Sequence, residues 1–424
     1  MKNRVVITGL GIVAPNGVGL DAFEHAVKNG ISGIRHFEEL ERLKFSCQIA
    51  GMPVVLNELA LHYFTELELK NFNATGILYG VIAGIDAWKD AGLSMEIRDD
   101  PDWDSGTIFG AGTSGIEKFR ESIYKIDDFK TRNLGSTSVI QTMNSGISAY
   151  LAGKLGLGNQ VTTNSSACTT GAESIIMAYD RIKSGQAKRI LAGSTSDSGP
   201  YIWGGFDAMR VCTFKHNDSP ETGSRPMSAS ASGFVPASGA GSLVLEDLET
   251  ALARGARIYA EVLGGALNSG GQRGLGTLTA PNPVAVQKCI QKAMANAGIK
   301  GQDVDAINGH LTATTKDSLE ISNWSEALGR KGIDFPYINS LKSTVGHCLS
   351  AAGSIESVAS VLQLYKGYVF PNRNCEDVHP EITSIIDVSR IPMELIEKEV
   401  TIVLKASFGF GDVNGCVVFK KFTT

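Results

Sequence analysis

A cysteine set among small residues, in Asn164-Ser165-Ser166-Ala167-Cys168-Thr169-Thr170-Gly171-Ala172, is followed far downstream by two histidines that each follow a glycine, His310 and His347. One thiol and two imidazoles can run carbon–carbon bond formation on a thioester. The stretch after the cysteine, Glu173 to Ile182, has helical apolar spacing at Ile175, Ile176, Ala178 and Ile182. That spacing predicts a helix N-terminus at the thiol. Unpaired backbone NH groups and the helix dipole there favour thiolate, which is the nucleophile. A buried cysteine serving as a small hydrophobe is the ordinary alternative, so the case depends on what accompanies it.

Three further segments accompany it. In Asn308-Gly309-His310-Leu311-Thr312-Ala313-Thr314 the histidine follows a predicted strand, Asp305 to Asn308, at the end where α/β proteins place ligand sites. Thr312 and Thr314 offer hydroxyls on one face of an extended segment, suited to an amide-bearing substrate arm; a surface histidine in a polar loop is the alternative. In Asn339-Ser340-Leu341-Lys342-Ser343-Thr344-Val345-Gly346-His347, Lys342 precedes the second histidine and Glu356 follows it. The two could orient and charge-balance the imidazole, or form a surface pair of little consequence. In Ser407-Phe408-Gly409-Phe410-Gly411-Asp412 the glycines around Phe410 let the main chain pass close to a reacting carbonyl.

The elements that must position these groups read as α/β. Short β-branched runs (Arg4 to Thr8, Arg189 to Ala192, Ser242 to Leu245, Ile258 to Val262, Thr401 to Lys405) alternate with helical stretches near Asn73 to Ala91, Glu173 to Ser184, Pro283 to Ala297 and Gly353 to Tyr365. At 424 residues the chain exceeds one ordinary core. The segments opening at Cys168 and at His347 echo each other, each placing a reactive side chain before small residues that begin a helix. Two similar halves, 1–255 and 256–424, are expected. A net charge of −5 argues against general nucleic-acid binding, and no apolar run reaches a membrane span. The N-terminus runs into a strand without a signal-peptide pattern. Seven scattered cysteines without CxxC spacing fit reduced thiols in the cytoplasm rather than disulfides or a zinc site. The 48 glycines, many clustered, suit tight turns and close approach to a ligand. Gly9-Leu10-Gly11 lacks the third glycine and the later acidic residue of a dinucleotide site.

In this order the segments resemble the β-ketoacyl-acyl carrier protein synthases, specifically the elongating I/II type within the thiolase-fold superfamily. The resemblance runs from Arg4-Val5-Val6-Ile7-Thr8-Gly9-Leu10-Gly11 to Phe410-Gly411-Asp412-Val413-Asn414-Gly415 and includes Arg225-Pro226, Gly233-Phe234-Val235 and Gly239-Ala240-Gly241. It implies a duplicated α-β-α-β-α layering with two mixed five-stranded sheets. It also implies that Cys168 accepts the acyl chain, that His310 and His347 hold the malonyl carbonyl, and that backbone NH groups of Cys168 and Phe410 hold the oxyanion. Lys342 and Glu356 match the supporting pair, Thr312 and Thr314 the contacts of a phosphopantetheine arm, and Phe410 a gate. Thr113, Phe206, Phe408 and Thr279 are further candidates for substrate contact. No metal or bound cofactor is implied. The partners implied are an acyl carrier protein and a second copy of the chain in a homodimer.

The sequence also departs from the pattern. Ser228-Ala229-Ser230-Ala231-Ser232 stands where charged residues are usual, and Ser238 where a glutamate is; loss from both sides suggests a single network of paired charges. Leu311 replaces a glycine, the loop from His310 to Asp317 is one residue short, and Asp412 and Val413 replace glycine and threonine. The basic run that usually meets an acidic carrier is reduced to Lys70, leaving Arg210 and Lys215 as docking candidates, with Lys125, Lys130 and Arg132 behind them. A divergent branch serving a specialised polyketide or polyene pathway is one expectation. The alternative is a non-catalytic partner subunit resembling a chain-length factor, although such subunits usually lack the cysteine.

Overall fold

The computed structural model describes residues 3–96 and 99–423. Ten strands form the backbone of an 11-stranded mixed sheet: β1 (Val5–Ala14), β2 (Ser105–Ala111), β3 (Val161–Thr162), β4 (Arg189–Ser196), β5 (Gly239–Asp247), β6 (Ala260–Ser269), β7 (Ala306–Asn308), β8 (Tyr337–Asn339), β9 (Ile402–Gly409) and β10 (Val413–Lys421). Gly17–Val18 adds a hairpin to β1. The strand order is β8-β7-β9-β10-β6-β1-β5-β4-β2-β3. Its two sides repeat one pattern. On each side two parallel pairings at the outer end, β3-β2-β4 and β8-β7-β9, lead to two antiparallel ones, β4-β5-β1 and β9-β10-β6.

The expected pair of five-stranded sheets is present with one difference: they are fused. Val5–Ile7 of β1 pair antiparallel with Ala260–Val262 of β6. Both segments are buried, so leaving their backbone groups unpaired would strand buried donors and acceptors; pairing across the seam satisfies them.

Five helices complete the layers: α1 (Thr75–Asp90), α2 (Thr170–Lys183), α3 (Pro283–Ala297), α4 (Asp317–Leu328) and α5 (Ala352–Lys366). Helix α1 covers β1, β5 and β4 from outside, and α3 covers β6 and β10. Between the two sheet halves lie α2 and α5, each touching strands of both. Residues 352–364 of α5 are all buried, and two of its serines are satisfied within the helix, Ser357 Oγ on Gly353 O at 2.6 Å and Ser360 Oγ on Glu356 O at 2.8 Å, while Ser354 Oγ meets Ser194 Oγ of β4 at 2.7 Å. Small residues here serve packing. A Cβ on Gly171 would stand 2.3 Å from Ser354 N, and one on Gly353 2.6 Å from Ala172 N. The two helix starts therefore cross backbone against backbone.

Several glycines expected in turns or beside a ligand serve packing instead. Gly9 and Gly11 lie inside β1, where a Cβ would come 2.1 Å from Ala87 O and 1.9 Å from Ala83 O of α1. Gly11→Ala is accordingly expected to cost about 1–3 kcal/mol through overpacking. Gly153→Ala, at an exposed helical position with open space around its Cβ, is expected to be neutral or to stabilise by up to about 1 kcal/mol. Denaturant unfolding of the two variants checks the contrast.

Candidate active site

Cys168 stands two residues before α2, in a turn held by its own threonines. Ala167 adopts φ +50°, a left-handed conformation that side chains other than glycine rarely take. Ser166 N donates to Thr170 Oγ1 at 2.9 Å, and that hydroxyl donates to Ala167 O at 2.7 Å. Thr169 Oγ1 donates to Val413 O at 3.1 Å, tying the turn to the β9–β10 hairpin. Gly409, at the end of β9, closes directly on it: a Cβ there would lie 3.0 Å from Ser166 O and 3.1 Å from Cys168 N. The backbone NH groups of Phe410 and Cys168 reach the sulfur.

This environment overturns the expectation of a resting thiolate. Burial pushes the Cys168 thiol up to about 11, against the pull of the Lys342 ammonium and the Phe410 NH. A helix terminus offers only about 0.3–1 kcal/mol to a charge, too little to offset removal from water. Cys168 therefore rests as a thiol.

His347 is fixed through its backbone, its NH donating to Val235 O at 2.8 Å and its carbonyl accepting from Ala237 N at 3.0 Å. Leu349 N donates to His347 Nδ1 at 3.2 Å, so the ring proton resides on Nε2. His310 follows β7, and its loop hangs from two buried carboxylates of α4. Glu320 accepts from His310 N and Leu311 N at 2.7 and 2.8 Å, and Asp317 from Thr312 N and Ala313 N at 2.9 and 3.1 Å. Burial, with the charge of Asp317, pushes Glu320 up to about 7. The two imidazoles meet edge to face, 5.3 Å between ring centres. Burial holds both well below the usual histidine range, with Lys342 as the next cause. They are neutral. Sulfur and one nitrogen of each ring all lie within 4.8 Å of one another. That set could also ligate a soft metal ion, but a protonated thiol and the positive charge behind the rings both oppose a cation there.

Lys342 and Glu356 meet as expected, at 2.5 Å, both buried. They are not alone. Lys405 of β9, also buried, places its ammonium 2.8 Å from the other oxygen of Glu356. The sequence reading missed Lys405, Glu320 and Asp317. A lysine inside the run Ile402-Val403-Leu404-Lys405-Ala406 was the available signal for the first; two acids at helical spacing after a histidine were the signal for the others.

Among the other candidates, Thr279, Thr312, Thr314, Phe408 and Phe410 line one cavity with Cys168, His310 and His347. Thr312 Oγ1 and Thr314 Oγ1 lie 3.1 Å apart. Thr113 and Phe206 line a second, largely apolar cavity that also reaches Cys168 and Phe410. Phe410 thus borders both cavities, with the Phe206 ring 6.0 Å from its own. Arg210 and Lys215 are exposed near Val211, which lines the first cavity. Exposed Lys316 lines that cavity too and was not anticipated. Lys70 instead borders a separate surface depression with Asn57, Leu61 and Glu66. Lys125 and Lys130 are paired with Glu121 and Asp128; Arg132 is exposed.

Comparison with known proteins decides the family. Residues 2–251 match the family model "Beta-ketoacyl synthase, N-terminal domain", and residues 259–376 match "Beta-ketoacyl synthase, C-terminal domain". The chain is a member of the beta-ketoacyl synthase family. It is 33% identical to 3-oxoacyl-[acyl-carrier-protein] synthase 2 of Vibrio harveyi and 33% identical to synthase 1 of Escherichia coli K12, each alignment covering 99% of both chains. Among solved structures, a beta-ketoacyl synthase from Burkholderia phymatum superposes with a TM-score of 0.89 at 27% identity, covering 100% of both chains. A type II polyketide ketosynthase in complex with its acyl-carrier protein superposes at 0.88 with 29% identity, again over 100% of both.

The departures of this ketosynthase from its family's pattern have local explanations. Ser228 Oγ and Ser230 N bond Asp377, which also pairs with Arg225 at 3.1 Å. Ser238 sits elsewhere, its NH on Gly51 O at 2.9 Å. Among the described residues the two segments share no hydrogen-bond partner. Asp412, at φ +62° and buried, uses its carboxylate to accept from Gln272 N at 3.0 Å and Asn282 N at 2.8 Å. Gly411 N adds a bond to Leu278 O at 2.8 Å. Residues 270–282, which carry Thr279, are thereby latched to the Phe410 turn. Leu311 fills a buried apolar cluster.

Two outcomes follow. Because Cys168 rests as a thiol, its alkylation by iodoacetamide is expected to accelerate about tenfold per pH unit from pH 7 to 10 without a plateau; mass spectrometry of the modified peptide reads the rate. Asp412→Gly is expected to speed amide exchange at Gln272 and Asn282 about tenfold or more while the sheet stays protected, as hydrogen-exchange spectrometry will show.

Proposed function

We propose that this ketosynthase catalyses decarboxylative condensation of a Cys168-bound acyl group with a malonyl thioester on an acyl carrier protein. The observation carrying this reading is the convergence of one thiol and two neutral imidazoles within 4.8 Å of one another, with two backbone NH groups at the sulfur. In the first step Cys168 Sγ attacks the acyl thioester, the carbon–sulfur bond to the carrier breaks, and the thiol proton leaves with the carrier's thiol. The negative charge that develops on the thioester oxygen in the tetrahedral adduct is stabilised by the Cys168 and Phe410 NH groups; removing one such donor typically costs about 2.7–4 kcal/mol of barrier.

The malonyl carbonyl then accepts NH bonds from His310 and His347. Its carboxylate carbon–carbon bond breaks, carbon dioxide departs, and the electron pair becomes an enolate whose oxygen the two rings stabilise. Neutral rings suit this role: they donate without surrendering a proton to the enolate carbon. That carbon attacks the acyl-cysteine carbonyl, and collapse of the adduct releases the 3-oxoacyl carrier and Cys168 thiolate, which takes up a proton. Lys342 and Glu356 hold the charge behind His347. No metal or resident cofactor enters a step; the phosphopantetheine arm of the carrier is substrate.

Thr312, Thr314 and Thr279 flank the route for that arm in the first cavity, Phe408 contacts the acyl chain from the same cavity, and Thr113 and Phe206 contact it from the second, largely apolar one. For carrier docking, Arg210, Lys215 and Lys316 suit an acidic partner, and Lys70 is a lesser site because it lies on a different depression. A homodimer is supported by apolar side chains left outside, Phe129 at 96% and Phe119 at 56% exposure. Seven free, buried cysteines support a reducing, cytoplasmic setting, and no helix among the described residues is long and apolar enough to cross a membrane. The halves 1–255 and 256–424 are read as one doubled unit, on the matching strand patterns.

The test is direct. With acyl-carrier and malonyl-carrier substrates, Cys168→Gln is expected to retain malonyl decarboxylation and to lose condensation by at least about a thousandfold. Product masses read both reactions. Undiminished condensation by the variant, or no acyl transfer to Cys168 in the wild type with any chain length, would overturn the reading.

A further inference from the structure

One buried charge at the site has no part in the reaction just described. Lys405 exposes none of its surface, yet its ammonium lies 2.8 Å from Glu356 Oε2 and donates to Ala406 O and Ser407 Oγ. Glu356 Oε1 already accepts from Lys342 at 2.5 Å. One carboxylate thus sits between two ammoniums, and the cluster carries one net positive charge in a region closed to water. A second buried cation is costly where methionine would fill the same space. A pair of Lys342 and Glu356 alone would satisfy local neutrality.

The placement of Lys405 joins the elements that carry the chemistry. It belongs to β9, which ends at Gly409 and the Phe410 turn. Its carboxylate partner belongs to α5, the helix that follows His347. In the sheet it is the register partner of Asn308, two residues before His310, and Asn308 Oδ1 is buried without a hydrogen-bond partner. The charged and titratable groups that feel it are Glu356 and Lys342, Glu320 of α4, His310, His347, and Cys416 of β10.

We propose that Lys405 is a positioning residue of the condensation: its fixed cation locks Glu356, and through it Lys342, in place and keeps both catalytic histidines as neutral donors to the enolate oxygen. The inference rests on the condensing reading above for its catalytic half; its electrostatic half stands on the cluster alone. Two ammoniums repel protons from the rings, and the net positive charge favours negative charge developing at the oxygen they hold. A positive group that never touches substrate thereby acts on the transition state through its neighbours.

The experiment uses the full-length protein with nitrogen-15 in its histidine rings and lysine side chains, the ring signals being assigned with His310→Gln and His347→Gln. In the wild type both rings are expected to stay neutral from pH 5 to 8. In Lys405→Met their protonation midpoints should rise by about one pH unit or more. Adding Glu356→Gln restores the net charge of the cluster and should bring the midpoints back down, which a packing role for Lys405 would not do. In the condensation assay Lys405→Met should lower kcat about tenfold or more at unchanged KM for the malonyl carrier, with the acid limb of the pH profile displaced upward. Unchanged ring protonation in a folded Lys405→Met protein, or a double variant whose midpoints stay high, overturns the proposal. Should the variant not fold, the wild-type lysine signals decide: an ammonium at Lys405 through pH 8 supports the assignment, and a neutral amine at pH 7 overturns it. Ring shifts as expected in a protein that condenses nothing would leave the electrostatic role standing and count against the condensing reading instead.

Discussion

The contact on which the rest depends is the backbone crossing of two buried helices at Gly171 and Gly353. Side chains ordinarily keep the axes of packed helices about 8–10 Å apart; here the absence of a Cβ on each glycine lets Ser354 N and Ala172 N take that space. The turn before one helix carries Cys168 and the segment before the other carries His347. Close crossing therefore converts two distant stretches of sequence into neighbours. The doubled strand pattern on either side then delivers His310 and Phe410 from the ends of β7 and β9, adjacent strands in the C-terminal half. A single larger residue at either glycine would separate groups whose chemistry depends on distances of a few ångströms.

Around that crossing the site maintains neutrality where protons matter and concentrates charge where they do not. The thiol and both imidazoles are uncharged at rest, while the charged groups, Lys342, Glu356 and Lys405, lie behind the rings and pair with each other. Glu320 and Asp317 spend their oxygens on backbone NH groups of the His310 loop. In a medium of low dielectric such an arrangement keeps its charges paired and its hydrogen-bonding groups fixed before any substrate arrives.

Much of this was legible in the sequence. The α/β class, the long helices and the order of Cys168, His310, Lys342, His347 and Phe410 could be read because local periodicity and motif spacing encode them. The fusion of the sheets could not, since pairing of Val5–Ile7 with Ala260–Val262 is a contact between segments with no local signature. The ionisation of Cys168 was misread for a related reason: helix position is local, but burial is a property of the whole fold. Lys405 escaped because a lysine in an apolar run reads as an edge residue until its partner is known. Asp412, by contrast, was noticed as a departure, and only the fold reveals that its carboxylate holds residues 270–282.

The closed setting of Cys168 also bears on what can injure it. Peroxides and general electrophiles select cysteines by their thiolate content, and a thiol pushed up to about 11 offers them almost none at neutral pH. Cys168 is thus protected from adventitious oxidation by burial alone. A ligand that seats a carbonyl oxygen on the Cys168 and Phe410 NH groups evades this protection, because the donors it engages stabilise the product of attack. Durable covalent inhibition of this ketosynthase should come from shaped carbonyl compounds rather than from thiol reagents of high intrinsic reactivity.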